Sequence, residues 1–312
     1  MRPFFIDTDT ASDDAVALVI ALRHPDIDVV GIGIVAGNVP LDMGVQNALY
    51  TRELCGASAP VYVGASGPLS RPLGTAQNVH GNDGMGDIGL ALSGRTPDPG
   101  SAVDALIDAA HTNSGLLELV TLGPLTNIAL AVQKDPTIVG HIKRCVVMGA
   151  VADHIGNVTP VAEFNMWVDP EAVEVVLRSG MKLEFVGWDI SRFDACIRPE
   201  ESARIRAIGT PLAEFAIDIQ RAVAEFCATE TKVPGFDLGN SPFEALGADF
   251  AGRFFERTGR TGEAESIYQR FTERSADPIY VQVDIARARA KGTAPQPIAK
   301  ASDGMAEALF DL

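Results

Sequence analysis

Four carboxylates, Asp7, Asp9, Asp13 and Asp14, stand within residues 7–14, where an apolar strand gives way to a helix. Like charges this close repel, and burying them adds a desolvation cost. A cation or a polarised substrate among them removes both penalties. Ligands that are all oxygen favour a hard cation, calcium or magnesium, over zinc or copper. An acidic helix start accounts for part of the pattern, with Ser12 as N-cap and Asp13 and Asp14 in the first turn. It leaves Asp7 and Asp9 unexplained, because they sit at the end of the strand.

A second group of polar side chains follows much later. Gly156-Asn157-Val158-Thr159-Pro160-Val161-Ala162-Glu163-Phe164-Asn165 gathers Asn157, Glu163 and Asn165 just ahead of a helix. Amide and carboxylate groups bunched in this way can orient sugar hydroxyls, as a polyol substrate requires. Between the two groups lies Val79-His80-Gly81-Asn82-Asp83-Gly84, whose glycines allow tight turns and whose His80 and Asp83 could face a ligand. Gly31-Ile32-Gly33-Ile34-Val35-Ala36 matches a dinucleotide fingerprint in letters only. Its glycines lie inside a strand, with no helix N-terminus to hold a pyrophosphate.

The elements that position these groups alternate. Strands are expected over Pro3 to Ile6, Ile27 to Val35, Pro60 to Val63, Leu116 to Leu122, Cys145 to Met148 and Lys182 to Val186. Helices are expected over Ala15 to Arg23, Val45 to Leu54, Ser101 to Ala110, Leu125 to Gln133 and Pro170 to Leu177. Ser101 and Asp104 have capping-box spacing. The Gly- and Pro-rich stretch from Gly64 to Pro99 reads as a long functional loop. After about residue 200 the pattern turns helical, with a late strand near Ile279 to Val283. Apolar strands alternating with helices imply a mostly parallel sheet covered on both faces, as one domain over residues 1–312. In such sheets ligands bind beyond the carboxyl ends of the strands, so the Asp turn, Gly37-Asn38, Gly123-Pro124 and Gly149-Ala150 should converge on one rim.

The totals limit the partners. A net charge of −16 with no offsetting basic stripe argues against nucleic acid or an anionic membrane. Cys55, Cys145, Cys196 and Cys227 lack the spacing of a zinc site or a disulfide framework. No basic and apolar leader precedes the first strand, and no apolar run is long enough to cross a bilayer, so a cytoplasmic location is expected.

Taken together, Asp7-Thr8-Asp9 with Asp13-Asp14, Gly37-Asn38, Val79 through Gly84, Gly123-Pro124-Leu125-Thr126-Asn127, Met148-Gly149, and Asn157 through Asn165 followed by Asp169-Pro170-Glu171-Ala172 resemble the inosine-uridine nucleoside N-ribohydrolase family. The resemblance covers roughly residues 1 to 200 and implies a single-domain, Rossmann-like α/β fold. It further implies a calcium ion (Ca2+) held by Asp9, Asp14 and the backbone carbonyl of Leu122, with ribose hydroxyls completing the shell. Asp13 would hold the 2′-hydroxyl, and Asn38, Asn157, Glu163 and Asn165 would grip the rest of the sugar, with His80 and Met148 also against the substrate. Asp9 would double as the base toward the attacking water, so Asp9 and Asp13 are the expected catalytic pair. The activity implied is hydrolysis of a ribonucleoside to base and ribose by a homodimer or homotetramer.

The chain departs from the family where a late His-Asp-Pro segment normally adds a metal ligand: here Asn240-Ser241-Pro242 stands in its place. Serine is a poor calcium ligand, since affinity follows ligand charge. Asp237 or Glu244 could substitute, water could fill the gap, or the site could be degraded, leaving a nucleoside-binding homologue without turnover. Trp188, Phe236, Phe243 and Tyr268 are candidates to stack on the base, and His154 is a candidate acid. The Asp7-Thr8-Asp9 pair also invites a phosphoryl-transfer reading with an aspartate nucleophile and magnesium. However, Thr10 stands one position out of register, and no downstream lysine and acidic pair follows.

Overall fold

The computed structural model describes residues 1–152, 155–188, 191, 196–231 and 235–237. Six strands form one sheet: β1 (Arg2–Thr8), β2 (Ile27–Ile34), β3 (Val61–Val63), β4 (Leu117–Thr121), β5 (Ile142–Met148) and β6 (Leu183–Val186), in the order β3-β2-β1-β4-β5-β6. Every neighbouring pair is parallel, as expected for strands of nearly continuous apolar sequence. Helices make the crossovers: α1 (Ser12–Arg23), α2 (Leu41–Leu54), the single-turn α3 (Gln77–His80), α4 (Ala102–Thr112), α5 (Thr126–Lys134), α6 (Phe164–Val168) and α7 (Pro170–Arg178). The helices α8 (Pro199–Arg206), α9 (Pro211–Asp218) and α10 (Arg221–Phe226) follow, and β7 (Cys196–Ile197) pairs antiparallel with β8 (Phe236–Asp237).

The alternation expected from the sequence is present, with ends shifted by a few residues. The α2 helix starts at Leu41, because Pro40 precedes it with the extended backbone of a helix cap. The Ser101 hydroxyl accepts from the Asp104 amide, as the capping spacing requires. The late strand near Ile279 to Val283 lies outside the described residues.

One core unites α4, α5 and α7 against the sheet, through Leu106, Ile128 and Val176 packed around Phe5, Leu119 and Val147. A second joins α1 to α9 through Ala15, Met85, Phe215 and Ile219. Gly31 and Gly33 have a packing reason for being bare. A Cβ on Gly31 would stand 2.6 Å from the Phe5 ring, and one on Gly33 would stand 2.7 Å from Asp7 Oδ2.

Toward the N-terminal ends of the strands, charges form a row across the sheet. Glu118, only 1% exposed, accepts from Arg144 Nε at 2.9 Å and from Arg2 Nε at 2.9 Å, and lies 3.2 Å from Lys143 Nζ. Arg144 also reaches Glu184 at 3.5 Å. Burial alone would raise the Glu118 carboxyl, but the hydrogen bond from Arg2 and the charge of Arg144 outweigh it and hold the group below the usual glutamate range.

Candidate active site

The acidic turn begins where β1 ends, and its carboxylates part there. Asp9 lies beyond Thr8, the last residue of the strand, where the alternation of faces no longer holds, whereas Asp7 is still within β1 on the Phe5 side and meets α5. There Asp7 Oδ2 accepts from Asn127 Nδ2 at 2.8 Å, and the same amide group donates to the Ile34 carbonyl at 3.1 Å. Asn127 Oδ1 accepts from the Ala65 amide at 2.8 Å. Asp7 is thereby linked, through Asn127, to the end of β2 and to the loop after β3. It is not one of a four-carboxylate turn, contrary to the sequence expectation. Burial pushes its carboxyl up to about 8, against the Asn127 hydrogen bond.

Asp9, Asp13 and Asp14 do converge. Asp9 Oδ2 accepts from the Asn38 amide at 2.6 Å, while Asp9 Oδ1 is buried without a hydrogen-bond partner. Asp14 Oδ1 accepts from the Thr8 hydroxyl at 2.8 Å, and its Oδ2 from the Ala11 amide at 2.9 Å. Ala11, not Ser12, occupies the N-cap position of α1. The expected Ser12 cap is absent because Asp14 satisfies that end of the helix, and the Ser12 hydroxyl instead lies 3.0 Å from His80 Nδ1. His80 Nδ1 is 3.7 Å from Asp13 Oδ1. Burial lowers the His80 pKa despite the nearby Asp13 charge, which favours a neutral ring.

Two glycines close over Asp9. A Cβ on Gly123 would stand 2.8 Å from Asp9 Oδ1. A Cβ on Gly37 would run into Asp9 Oδ2 and stand 2.8 Å from Pro124 Cδ. Gly37→Ala should therefore displace the Asp9 carboxylate. We expect kcat/KM to fall by about 100-fold, the scale of an ångström misplacement at a reacting group. A loss of about 1–3 kcal/mol in stability should accompany it, read by denaturant titration.

The opposite wall comes from α6 and the loop before it. Glu163 caps α6, its Oε1 accepting from the Asn165 amide at 2.9 Å and its Oε2 from the Ala150 amide at 3.2 Å. Asn165 Nδ2 donates to the Leu122 carbonyl at 2.8 Å and lies 3.3 Å from Met148 Sδ. Leu122, Met148, Glu163 and Asn165 thus share one wall, and the Glu163 charge acts on Asp9. Asn157 is exposed, its Oδ1 accepting from the Phe164 amide at 2.8 Å, so it braces the α6 entrance from outside the buried cluster. Asp83 is a turn former: its Oδ1 accepts from the Met85 and Asp87 amides.

The electrostatics of the cluster favour a cation. Burial, reinforced by the charges of Asp13 and Glu163, pushes Asp9 up to about 8 against the Asn38 amide. Burial and the charges of Asp9 and Asp13 hold Asp14 well above its usual range. Burial raises Glu163 to about 7 against its backbone donors. Without a counter-charge these groups hold protons more tightly than free carboxylates do, and a divalent ion would compete for them. The partnerless Asp9 Oδ1 and the all-oxygen donors suit a hard cation. Among the described residues no three or more His, Cys, Asp or Glu side chains form a metal cage by themselves. Backbone carbonyl, substrate hydroxyls or water would have to complete a shell.

Trp188 is half-buried, its amide donating to the Ala150 carbonyl, and Phe236 is buried against Val223 and Cys227. His154, Asn240, Ser241, Phe243, Glu244 and Tyr268, together with the side chain of Asp237, lie outside the described residues. Among the described residues no helix is long and apolar enough to cross a membrane.

This geometry has counterparts. A family model for inosine-uridine preferring nucleoside hydrolases matches residues 4–248. The chain belongs to this family. It is 38% identical over 218 residues to the pyrimidine-specific ribonucleoside hydrolase RihB of Escherichia coli, covering 70% of this chain and 69% of RihB. An uncharacterized Schizosaccharomyces pombe protein is 42% identical over 188 residues, which cover 60% of this chain and 61% of that protein. The chain thus spans about three fifths of the length of the yeast relative. Among solved structures, a plant nucleoside hydrolase, PpNRh1, superposes with a TM-score of 0.74 at 30% identity, covering 77% of this chain and 76% of its own. A purine-preferring ribonucleoside hydrolase from Gardnerella vaginalis gives 0.72 at 31% identity, covering 77% of each chain.

Two residues that brace this candidate site escaped the sequence reading. Asn47 donates to the Thr10 and Asp83 carbonyls at 3.0 Å each, and Gln220 donates to the Ser12 carbonyl at 2.9 Å. Both are lone amides in helical stretches. Only their burial, invisible in the sequence, sets them apart.

Proposed function

We propose that the chain hydrolyses the N-glycosidic bond of a ribonucleoside, releasing base and ribose, and that it does so with calcium. The observation that carries this reading is the Asp9 carboxylate, which is fully buried and keeps one oxygen without a partner beside Asp13 and Asp14. Asp9, Asp14 and the Leu122 carbonyl would hold the ion. When bound, calcium would acidify a water and orient the ribose hydroxyls.

The chain's own groups do the rest. Asp9 accepts a proton from the attacking water through its free oxygen. Asp13 receives the 2′-hydroxyl, and Glu163 and Asn165 orient the far side of the ribose, with Asn38, His80 and Met148 completing its surroundings and Asn157 bracing the α6 entrance from outside. As the bond to the base breaks, its electron pair leaves with the base, which takes up a proton on release, and the water oxygen bonds to the ribosyl carbon; the positive charge that develops on that carbon is stabilised electrostatically by the fixed carboxylates. The relatives' names include both a pyrimidine-specific and a purine-preferring enzyme, so the test uses both kinds of substrate.

Purified protein is incubated with purine and pyrimidine ribonucleosides, and reducing sugar is assayed with and without a calcium chelator. Sugar release from at least one nucleoside is expected, and release from none removes the reading. Chelation should cut turnover at least about tenfold. Calcium restored to about 100 times its Kd should add roughly 2.7 kcal/mol of stability by mass action, seen as a raised Tm. Turnover that ignores the chelator would remove the calcium while keeping the hydrolysis.

A further inference from the structure

We infer that Gln220 is a positioning residue for this site, acting through Ser12 and His80; the inference rests on the nucleoside-hydrolase reading above. Gln220 lies between α9 and α10, is 1% exposed, and donates from Nε2 to the Ser12 carbonyl at 2.9 Å across 208 residues of sequence. Ser12 in turn places its hydroxyl 3.0 Å from His80 Nδ1, and that nitrogen lies 3.7 Å from Asp13 Oδ1. One chain of contacts therefore runs from the α9–α10 turn to the carboxylate assigned to the ribose.

The same turn also grips the other partner in the Ser12–His80 contact. Arg221 Nη2 donates to the Asp87 carbonyl at 2.6 Å. A Cβ on Gly86 would stand 2.5 Å from the Ile219 carbonyl oxygen, so the loop that follows His80 rests directly on this turn. Residues 219–221 thus hold two segments that are remote in sequence, the start of α1 and the loop after α3, at the separation where Ser12 meets His80.

Packing does not require an amide here. Ala15, Met85, Phe215 and Ile219 already supply the apolar contact between α1 and α9. Gln220 Oε1 is buried without a hydrogen-bond partner, a condition that costs about 1–3 kcal/mol. An apolar side chain of the same length would avoid that cost. What it would lose is the directional bond to the Ser12 carbonyl, which fixes the rotation of the first turn of α1.

The test is a double-mutant cycle with Gln220→Met, which keeps the volume and removes the donor, and Ser12→Ala, which removes the hydroxyl. With a nucleoside that the wild type hydrolyses, Gln220→Met should lower kcat about tenfold, change KM by less than about twofold, and move Tm by only a few degrees. In the Ser12→Ala background the same substitution should have almost no further effect on kcat. The second readout is the 15N signals of the His80 ring, which should shift in Gln220→Met even though residue 220 does not touch the ring. Additive effects in the cycle, or an unchanged His80 ring, overturn the inference. If the wild type turns over no nucleoside, the functional reading fails, and the ring signals alone decide whether Gln220 positions His80.

Discussion

Asp9→Asn should lower kcat by about 10³- to 10⁴-fold while leaving the fold intact. Asparagine keeps the shape of the side chain and can still accept from the Asn38 amide, now 2.6 Å from Asp9 Oδ2. It removes the charge that would hold the cation, and it cannot take a proton from water. Loss of a positioned base alone is worth about 10²- to 10⁴-fold. Stability should respond in the opposite sense. Burial already pushes the Asp9 carboxyl up to about 8, so a neutral amide avoids a desolvation cost in metal-free protein. The expected signature is a metal-free Tm equal to or above wild type, together with a much smaller gain on adding calcium. A variant that keeps more than a tenth of wild-type turnover would remove Asp9 from the mechanism.

Glu118→Ala should produce the reverse pattern, a large loss of stability with kcat unchanged below the melting transition. The substitution leaves Arg2, Lys143 and the buried Arg144 around an empty position. Breaking a buried ion pair from one side costs about 3–5 kcal/mol. At roughly 2–4 °C per kcal/mol for chains somewhat shorter than this one, Tm should fall by on the order of 10 °C. Because the folded state holds the Glu118 carboxyl below its unfolded range, its contribution is present at neutral pH and fades as pH drops through that lowered value. The gap between wild type and Glu118→Ala, followed by thermal melts from pH 7 downward, should therefore narrow in acid.

The layers of the fold were legible because period and punctuation speak locally. Apolar runs such as Ile27–Ile34 and caps such as Ser101 announce themselves within a few residues. Much of the site was legible for a different reason. Asp9, Asp14, Glu163 and Asn165 sit just past a strand or at the start of a helix, and a sheet with parallel order brings such positions to one rim. Hidden from the sequence was the direction of each side chain. Asp7 and Asp9 are two residues apart, yet Asp7 bonds to Asn127 on α5 whereas Asp9 meets Asn38 and the cluster. Asn157 and Glu163 belong to one polar segment, yet one is exposed and the other buried. Ser12 looked like a cap and serves as a partner for His80, because Asp14 had already satisfied the end of the helix. These outcomes depend on contacts formed across the chain, which no local pattern records.

The strand order has a consequence for how the protein is made. β1, which is synthesised before either of its neighbours, ends up in the middle of the sheet, between β2 and β4. A ribosome that has not yet delivered Leu117–Thr121 holds a nascent chain whose β1 is paired along one edge only. Its exposed ladder is then open to the wrong neighbour, including the same strand of an adjacent polypeptide. Fragments that stop before β4 should accordingly precipitate where longer ones stay in solution, and the chain's weakest moment comes before its acidic turn has been closed.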